Sequence, residues 1–486
     1  MNEAVSRPST YVQLLITDGV RRTARCSPRK IALQENDRTL SYGDLNDSIN
    51  RLANLATDGF GLRKGDRVAL LAHNCLEFAE ILLGMASAGI VTAVVSPRNT
   101  PEEVALICDD AEARVLFVHE QLAEVAQAID LVSVEQIIVI DDEYERLVAN
   151  ARASQPTVPL SERDTFCILF TSGSTGVPKG VLVPHRQRTL ASFSIALGCA
   201  CYTPDERALG ISPMYHGGGF QSTLTTLFFG GYTAVMPRFD PEEALRLISD
   251  RKLTSAYLVP THLNAIFALG DEALARFDTR SFRRVISNGA PLSLAAKEKV
   301  IEHFGDDALF EVYGSTDGGL VSILQAPDQL RKAQSAGLPA PGVEIRLLDE
   351  RGDEVPRGEA GELLVRSPYL SNGYWRRQAE TERAFRDGWF SSEDIARLDD
   401  EGFIYLVDRR DSKIITGGVN VYPREVEEVL ERHPAVLEVA VFGIPDNYWG
   451  EAVHAVLVLR PGITATPEEI GSFCRERLAA PKRPKA

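Results

Sequence analysis

Short apolar runs alternate with segments of helical spacing from Arg67 onward, and this alternation limits the fold more than any other feature. The runs are RVALLA, VTAVV at Val91–Val95 and RVLFV at 114–118, and a helical stretch covers 75–88. Strand-like runs separated by about 10 to 15 helical residues favour βαβ units. The sequence therefore predicts an α/β fold with a doubly wound parallel sheet.

Two segments of the sequence have the residue pattern of a capped helix N terminus. Thr100-Pro-Glu-Glu103 and Thr466-Pro-Glu-Glu469 each place a hydroxyl at the N-cap, proline at the first helical position and glutamate at the third. The hydroxyl and the carboxylate satisfy backbone N–H groups reciprocally, and proline at this position loses no helical hydrogen bond. Helices are predicted to begin at Pro101 and Pro467.

The predicted pattern of secondary structure changes twice toward the C terminus. Between about 335 and 407, short strands with Gly and Pro punctuation suggest a small antiparallel or barrel-like unit. After Asp408, a helix from Pro423, strands at 436–442 and 452–459 and the second capped helix suggest a compact α+β unit. We expect an N-terminal domain over 1–408 and a small, mobile α+β C-terminal domain over 409–486.

Composition excludes several classes of protein. Of 486 residues, 44% are hydrophobic and 25% charged, as in ordinary globular proteins. The net charge of −16 and the absence of long Lys/Arg runs argue against a nucleic-acid or anionic-membrane surface. No stretch of eighteen apolar residues and no secretory leader is visible, so we expect a cytoplasmic protein without a membrane partner.

Seven cysteines, an odd number without framework spacing, suggest reduced thiols. Cys199-Ala-Cys201 is the one pair with a metal-like spacing, but it lacks a second pair or a nearby histidine. We expect buried structural thiols at these two positions.

A loop rich in glycine and hydroxyl residues, TSGSTGVPKG at 171–180, follows the apolar run at 166–170. Such a loop can present backbone N–H groups, hydroxyls and a lysine to phosphate. The Walker A pattern is absent, because its second glycine would fall on Pro178 and its hydroxyl residue on Gly180. The alternative is a flexible surface loop.

Further motifs follow this loop in order. They are MYHGGG at 214–219, SNGAP at 287–291, YGSTD at 313–317, GWFSSED at 388–394 and DRRDSKIITGG at 408–418. With the loop, they make the chain similar to the adenylate-forming superfamily of acyl-CoA synthetases, adenylation domains and luciferases. The resemblance to its aryl-CoA ligase members covers nearly the whole chain.

The resemblance implies ATP as the ligand of the loop, whose phosphates leave as pyrophosphate while a carboxylate attacks the α-phosphorus. It implies that Tyr313 stacks on adenine, that Thr316 donates to the α-phosphate, and that Asp394 and Arg409 bind the ribose. The full set of nucleotide-binding positions implied is Thr171, Ser172, Gly173, Ser174, Thr175, Gly176, Lys179, Gly289, Ala290, Pro291, Tyr313, Gly314, Asp394 and Arg409.

Two positions depart from the superfamily pattern. Asp317 stands where the family usually has a magnesium-binding glutamate, and the loss of one methylene shortens its reach toward the metal. We expect Asp317 to hold Mg²⁺ weakly or through water. Glu393 stands where the family usually has glycine, and its carboxylate either repels phosphate or faces solvent.

The acyl pocket implied by the resemblance is lined by His216, Gly217, Gly218, Thr261, Asn288, Gly289, Gly314 and Ser315. Amino-acid-activating relatives commonly have an aspartate near His216 to bind the substrate ammonium. Histidine offers no fixed negative charge at neutral pH, so a non-amino, cyclic or aromatic acid is expected. His216 is placed in the catalytic set with Thr316 and Asp317, although it can equally be a packing residue.

The C-terminal part carries the implied thiol chemistry. Asp411 matches the hinge residue about which the small domain swings, and Gly417 and Gly418 would let a pantetheine arm of coenzyme A pass close to the backbone. Trp449 is a further candidate contact for the thiol substrate, with core packing as the alternative.

The final residues resemble a family stretch that normally continues to a catalytic lysine, and Lys482 and Lys485 do not match that position. Such a lysine offsets the repulsion between carboxylate and phosphate, so its loss would slow adenylation most. Two explanations are open: a shortened ligase, or a chain that mainly forms thioesters from an acyl-adenylate supplied by a separate adenylating enzyme.

Together these features predict an acyl-CoA ligase that uses a carboxylic acid, coenzyme A, Mg²⁺ and either ATP or preformed acyl-AMP. Transfer of the acyl group to a carrier protein is one rival. A nucleotide-binding homologue without turnover is the other.

Overall fold

The computed structural model describes residues 12–171, 178–409, 414–416, 419–446 and 449–485. Contacts along the chain divide it into two compact units. The first contains the residues up to Val343 together with Arg366–Phe390, and the second contains Glu344–Val365 and the residues from Ser391 onward. The domain boundary predicted at 408/409 stays a prediction.

The strands of the described residues are, in chain order, β1 (Ile31–Glu35), β2 (Arg38–Ser41), β3 (Arg67–Leu71), β4 (Val91–Val95), β5 (Ala113–His119), β6 (Gln136–Ile140), β7 (Thr165–Thr171), β8 (Lys179–Pro184), β9 (Arg207–Gly210), β10 (Tyr232–Val235), β11 (Ser255–Leu258), β12 (Arg284–Ser287), β13 (Leu309–Ser315), β14 (Gly319–Leu324), β15 (Leu338–Pro339), β16 (Glu344–Leu348), β17 (Gly361–Arg366), β18 (Phe385–Arg386), β19 (Trp389–Leu398), β20 (Ile404–Arg409), β21 (Ile414–Thr416), β22 (Val419–Val421), β23 (Val436–Asp446) and β24 (Gly450–Leu459).

The α-helices of the same residues are α1 (Asp18–Cys26), α2 (Tyr42–Asn54), α3 (Leu76–Ala88), α4 (Pro101–Asp110), α5 (Ala123–Gln127), α6 (Asp142–Asn150), α7 (His185–Gly198), α8 (Gly217–Phe229), α9 (Pro241–Arg251), α10 (Pro260–Phe267), α11 (Asp271–Leu274), α12 (Leu294–Phe304), α13 (Gln378–Ala384), α14 (Pro423–Leu430) and α15 (Pro467–Arg477). In the described part of the chain, no helix combines the length and the apolar character needed to cross a bilayer.

A six-stranded sheet in the first unit has the order β6-β5-β3-β4-β7-β8. The first five strands pair in parallel, and only β8 runs antiparallel, as the return strand after β7. Strand β3 is buried along nearly its whole length, as expected where helices cover both faces of a sheet. The predicted α/β fold with parallel strands is confirmed.

A nine-stranded sheet in the same unit has the order β15-β14-β13-β12-β11-β9-β10-β1-β2. The strands from β13 to β1 pair in parallel, whereas β2, β14 and β15 are antiparallel additions at the two edges. The main core of this unit includes Ile49 of α2, Phe78 of α3, Phe166 of β7 and Phe220 of α8, all at most 1% exposed.

Both predicted helix starts are confirmed. Thr100 and Thr466 accept hydrogen bonds from the backbone N–H groups of Glu103 and Glu469, and each glutamate bonds back to its N-cap. The helices begin at the prolines, as expected from the reciprocal cap.

Antiparallel pairing dominates the second unit. Strands are present in the region predicted near 335–407, but β15 and β18 belong to the first unit, whereas β16, most of β17 and most of β19 belong to the second. Strand β19 pairs with β20 in antiparallel register. A separate four-stranded antiparallel sheet has the order β22-β21-β24-β23. Helices α14 and α15 pack on this sheet through Val426, Leu430, Ile470 and Cys474.

Cysteines behave as the sequence suggested. Seven thiols are free, and all except Cys26 are buried. Cys199 and Cys201 belong to a hydrophobic cluster, which confirms the structural role expected for this pair.

Candidate active site

Part of the predicted site lies outside the described residues. These positions are Ser172, Gly173, Ser174, Thr175 and Gly176 of the loop, the hinge residue Asp411, and Gly417 and Gly418. The side chain of Arg409 is outside them as well.

The two ends of the phosphate loop are held together by strand pairing. Thr171 closes β7 and Lys179 opens β8, and the two residues face each other in the antiparallel register. The Lys179 ammonium lies 5.7 Å from the centre of the Tyr374 ring, an attractive cation–π arrangement. The lysine that follows the loop is thereby positioned by an aromatic ring far along the chain.

Tyr374 also contacts the YGSTD motif at 313–317. Tyr374 Oη donates a hydrogen bond to Asp317 Oδ2 at 2.5 Å. The other carboxylate oxygen, Oδ1, accepts from Ser315 Oγ at 2.6 Å and from the Gly318 N–H at 3.1 Å. Lys179 therefore lies over the Tyr374 ring while Asp317 accepts from its hydroxyl, which brings the loop end and the predicted metal-binding residue to one side chain.

A tight turn between β13 and β14 presents Asp317. The register shifts between Tyr313 and Gly314, and the pair that closes the turn is Ser315 with Gly319. A Cβ atom on Gly314 would collide with the Gly319 carbonyl oxygen, and Gly319 has φ 66°, a left-handed conformation that favours glycine. The turn needs both glycines.

Thr316 joins this motif to MYHGGG. Its carbonyl oxygen accepts a hydrogen bond from Gln187 Nε2 of α7 at 3.0 Å. Its hydroxyl oxygen lies 3.3 Å from the place that a Cβ atom on Gly217 would occupy. The hydroxyl predicted to contact the α-phosphate and the glycines predicted to line the acyl pocket are therefore neighbours.

His216 is the N-cap residue of α8 and is exposed, with its ring 4.8 Å from that of Tyr215. Neighbouring protein atoms partly desolvate the ring, and the Arg98 guanidinium adds positive charge, so the pKa of His216 is lowered. The imidazole is neutral at pH 7, as the sequence argument on substrate charge assumed. Its exposure argues against the alternative of a buried packing residue.

The absence of a side chain at Gly218 leaves space for the phenol of Tyr257. A Cβ atom on this glycine would collide with the phenol of Tyr257, which projects from β11. A Cβ atom on the next glycine, Gly219, would clash with the backbone carbonyl of Pro213. The three glycines thus allow α8 to begin close against its neighbours, and the first two face Thr316 and Tyr257.

The SNGAP motif follows β12 beside the end of β13. Asn288 Nδ2 donates to the Val312 carbonyl at 2.6 Å, and Gly289 has φ 92°, a conformation reserved for glycine. Ala290 and Pro291 are exposed. Thr261 is also exposed, in the first turn of α10.

The predicted ribose pair lies in the second unit. Asp394 on β19 and Arg409 on β20 are opposite each other in the antiparallel register, so the two residues are direct neighbours in the sheet. Glu393, next to Asp394, is exposed and has φ 61°. This conformation explains physically why glycine is the usual residue of the superfamily pattern there.

Trp449 is also in the second unit, and the packing alternative for it is wrong. The residue is 39% exposed and lies outside the hydrophobic cluster of this unit. The ammonium of Lys485 lies 4.9 Å from the centre of its ring. Trp449 therefore remains a candidate contact for a thiol substrate.

Sequence reasoning missed four residues: Tyr374, Gln187, Arg188 and Tyr257. The one detectable signal was Arg188, which shares the buried helical face of α7 with Ala191 and Ser192. An arginine on such a face needs an explanation, because charged side chains are rarely fully buried without a partner. The other three act through contacts distant in sequence.

These side chains fit a nucleotide and its phosphates chemically. Lys179 supplies positive charge, Thr316 a hydroxyl donor, and the glycines of the two turns allow a backbone approach. No cluster of three or more metal-binding side chains occurs among the described residues. Asp317 alone fits Mg²⁺, which usually needs only one or two carboxylates when phosphates supply its other ligands.

Two sequence profiles match the chain. A profile described as AMP-binding enzyme matches residues 20–375, and one described as AMP-binding enzyme C-terminal domain matches residues 425–486. The chain belongs to this family of adenylate-forming enzymes. Within it, the chain is an acid–thiol ligase of the acyl-CoA synthetase branch, as the following relatives indicate.

Among similar proteins, a feruloyl-CoA synthase of Amycolatopsis sp is 33% identical over 472 residues, which are 96% of this chain and 93% of the relative. The long-chain-fatty-acid–CoA ligase FadD13 of Mycobacterium tuberculosis is 36% identical over 481 residues, 96% of this chain and 92% of the relative. Among solved structures, the anthranilate CoA ligase AuaEII in complex with anthranoyl-AMP has a TM-score of 0.88 at 26% identity, with 99% of this chain and 94% of that chain covered.

Proposed function

We propose that this chain activates a non-amino, cyclic or aromatic carboxylic acid as its acyl-adenylate and transfers the acyl group to the thiol of coenzyme A. In the first step a carboxylate oxygen bonds to the α-phosphorus of ATP, and the bond to the pyrophosphate oxygen breaks. In the second step the thiolate sulfur bonds to the acyl carbon, and AMP departs with the electron pair of the carbon–oxygen bond.

The observation that carries this proposal is a chain of contacts that joins three motifs. Lys179 lies over the ring of Tyr374, Asp317 accepts from the Tyr374 hydroxyl, and the hydroxyl of Thr316, the residue before Asp317, lies beside Gly217. We assign Lys179 to the departing phosphates, where its charge offsets the growing negative charge, and Thr316 to the α-phosphate, where it donates a hydrogen bond. Mg²⁺ held by Asp317 would neutralise phosphate charge.

Substrate chemistry is argued from the pocket and from two relatives. His216 is neutral, and the charge that influences its pKa is the cation Arg98, so a substrate ammonium would find no counter-charge there. Feruloyl-CoA synthase and anthranilate CoA ligase, two similar proteins, are named for aromatic acids. The long-chain-fatty-acid relative makes an acyl chain the competing substrate.

We also propose that adenylation is the weaker of the two steps. Asp317 is one methylene shorter than the glutamate of the superfamily pattern, and both of its oxygens already accept hydrogen bonds. A metal must compete with these bonds for a carboxylate of reduced reach. This proposal leaves thioester formation from acyl-AMP intact.

The test is acid-dependent pyrophosphate exchange, run beside thioester formation from synthetic acyl-AMP, with coenzyme A or a holo carrier protein as acceptor. A CoA thioester formed faster from acyl-AMP than from acid and ATP supports both parts. Robust pyrophosphate exchange would overturn the proposal that adenylation is impaired. Exclusive acylation of the carrier protein would overturn the proposal that coenzyme A is the acceptor. Nucleotide binding without any thioester would favour a non-catalytic homologue.

A variant pair identifies the site in the same assay. Lys179→Met should lower pyrophosphate exchange by about 10²- to 10³-fold, because it removes one preorganised charge. Lys64→Met is the matched control, since Lys64 pairs with Asp164 at 2.6 Å on another part of the unit. Equal losses in both variants would contradict the assignment of Lys179.

A further inference from the structure

Arg188 is a buried cation without a counter-charge. Its relative exposure is 7%, and it projects from the buried face of α7. In the described part of the chain, the ionisable groups that influence its pKa are the Cys167 thiol and the Tyr257 phenol, both neutral at pH 7, and no carboxylate. A buried charge without a partner costs free energy, so natural proteins rarely keep one without a use.

One nitrogen of the guanidinium is anchored, and the others are free. Arg188 Nη1 donates to Gln221 Oε1 of α8 at 3.1 Å, and it lies 3.5 Å from the Gly217 carbonyl oxygen. Nε and Nη2 are buried and have no hydrogen-bond partner among the described residues. The anchor fixes the side chain and leaves two parallel donors available, the geometry that suits a carboxylate.

The free edge of Arg188 faces the Gly217–Gly218 step. Nη2 lies 3.8 Å from the place that a Cβ atom on Gly217 would occupy, and Thr316 Oγ1 is the other atom near that place. The phenol of Tyr257 packs against Gly218, with its hydroxyl oxygen nearest to the place of a Cβ atom there. The unpartnered edge of Arg188 and a second donor group, the Tyr257 hydroxyl, therefore lie where the two glycines leave out side chains.

We propose that Arg188 binds a second anionic group of the acid substrate, with Tyr257 as the accompanying donor. The preferred substrate is then an acid with a second carboxylate in its acyl part. The first carboxylate reacts beside Thr316, and the second reaches past Gly217 after the Thr316 or Tyr257 side chain rotates. This inference rests on the proposed function for the identity of the ligand as an acid substrate.

Charge around the pocket agrees with this assignment. Arg98 lies close enough to His216 and His262 to lower the pKa of both rings. Among the described residues, no carboxylate influences the pKa of either ring. A dianionic substrate would therefore meet cations and neutral rings rather than acids.

The experiment compares diacids with neutral isosteres of the same shape. Terephthalic acid is paired with 4-carbamoylbenzoic acid, 4-carboxycinnamic acid with 4-carbamoylcinnamic acid, and straight-chain diacids with their half-amides. For each pair, thioester formation and the shift in melting temperature on adding the acid alone are measured. In the wild type we expect at least one diacid to be preferred roughly 10²-fold in kcat/KM, because an amide leaves the guanidinium unpaired.

Two substitutions locate the preference. Arg188→Met should abolish it in both assays, and Arg188→Lys should keep part of it, since a point charge replaces the planar pair of donors. Arg186→Met is the matched control on the same helix, because Arg186 pairs with Glu162 at 2.8 Å. It should keep the full preference.

The outcomes separate this inference from the proposed function. A diacid-specific melting shift that Arg188→Met removes supports the inference even if no thioester forms, in which case the proposed function fails alone. Thioester formation without a diacid preference in any pair overturns the inference alone. A loss in Arg188→Met that is equal for diacids and half-amides also overturns it, because Arg188 would then bind the reacting carboxylate.

Discussion

Tyr374 donates a hydrogen bond to Asp317 across 57 residues of sequence, and its ring also lies beneath the Lys179 ammonium. One side chain thus holds the carboxylate assigned to Mg²⁺ and the cation assigned to phosphate. Neither of these groups can move independently of the tyrosine without losing a contact.

Restoring the missing methylene at position 317 should therefore strengthen the first step. Asp317→Glu is expected to raise acid-dependent pyrophosphate exchange by roughly tenfold, because the longer carboxylate reaches a phosphate-bound metal better. Asp317→Asn should lower the exchange, since it removes the charge. Thioester formation from acyl-AMP should change little in either variant, and a parallel rise in both steps would contradict the assignment.

Relief of backbone strain is expected at Glu393, whose φ is 61°. Glu393→Gly should raise the free energy of unfolding by up to about 1 kcal/mol, because glycine adopts this conformation without a Cβ penalty but loses more chain entropy. Urea denaturation measures the difference. Glu393→Ala keeps the Cβ atom and removes the charge, so a gain in that variant would point to electrostatics instead.

Neighbouring glycines at the start of α8 should respond differently to alanine. Gly218→Ala forces its methyl group onto Tyr257 and should cost roughly 1 to 3 kcal/mol in stability. Gly217→Ala meets its nearest atom, Thr316 Oγ1, at 3.3 Å and should leave the melting temperature nearly unchanged. Its methyl group should still lower kcat/KM by about tenfold or more, because it displaces the reacting carboxylate. Unchanged kcat/KM in Gly217→Ala would place the acid elsewhere.

Acid sensitivity should arise in part from His185. Burial lowers the pKa of this histidine to about 4, from an ordinary value of 6.5, while its Nδ1 accepts from the Ile16 N–H at 3.3 Å. Because the folded pKa is depressed, the unfolded chain takes up the proton first as the pH falls. The stabilising contribution is complete above pH 6.5 and is lost by roughly 3 kcal/mol toward pH 4.

His185→Gln removes this titration. The difference in unfolding free energy between the wild type and the variant should therefore shrink as the pH falls from 7 to 4. Chemical denaturation at fixed pH values measures it, and a difference independent of pH would contradict a neutral buried imidazole.

Local features were predictable and distant contacts were not. The capped helices at Pro101 and Pro467 follow from four residues each, because the cap satisfies donors of the same turn. Strand β4 has the predicted bounds, since a continuous β-branched run marks a buried parallel strand.

Gln187 and Tyr374 could not be found in this way. Gln187 reaches Thr316 across 129 residues, and the contact exists only after α7 has docked beside β13 and β14. No periodicity reports such a pairing, because the partner is chosen by the packing of whole elements. The same holds for Tyr257 of β11, whose role depends on Gly218, a glycine of α8.

Buried polar contacts between α7 and α8 affect how the substrate specificity of this enzyme could change during evolution. Gln221 accepts from Arg188 and donates to Ser192 Oγ at 2.9 Å, and Ser192 also meets Thr225 at 3.0 Å. If Arg188 alone were replaced to accommodate apolar substrates, the side-chain oxygen of Gln221 would be buried without its hydrogen-bond donor. Adaptation of the pocket therefore demands concerted replacement at two positions, which raises an evolutionary barrier around the present specificity.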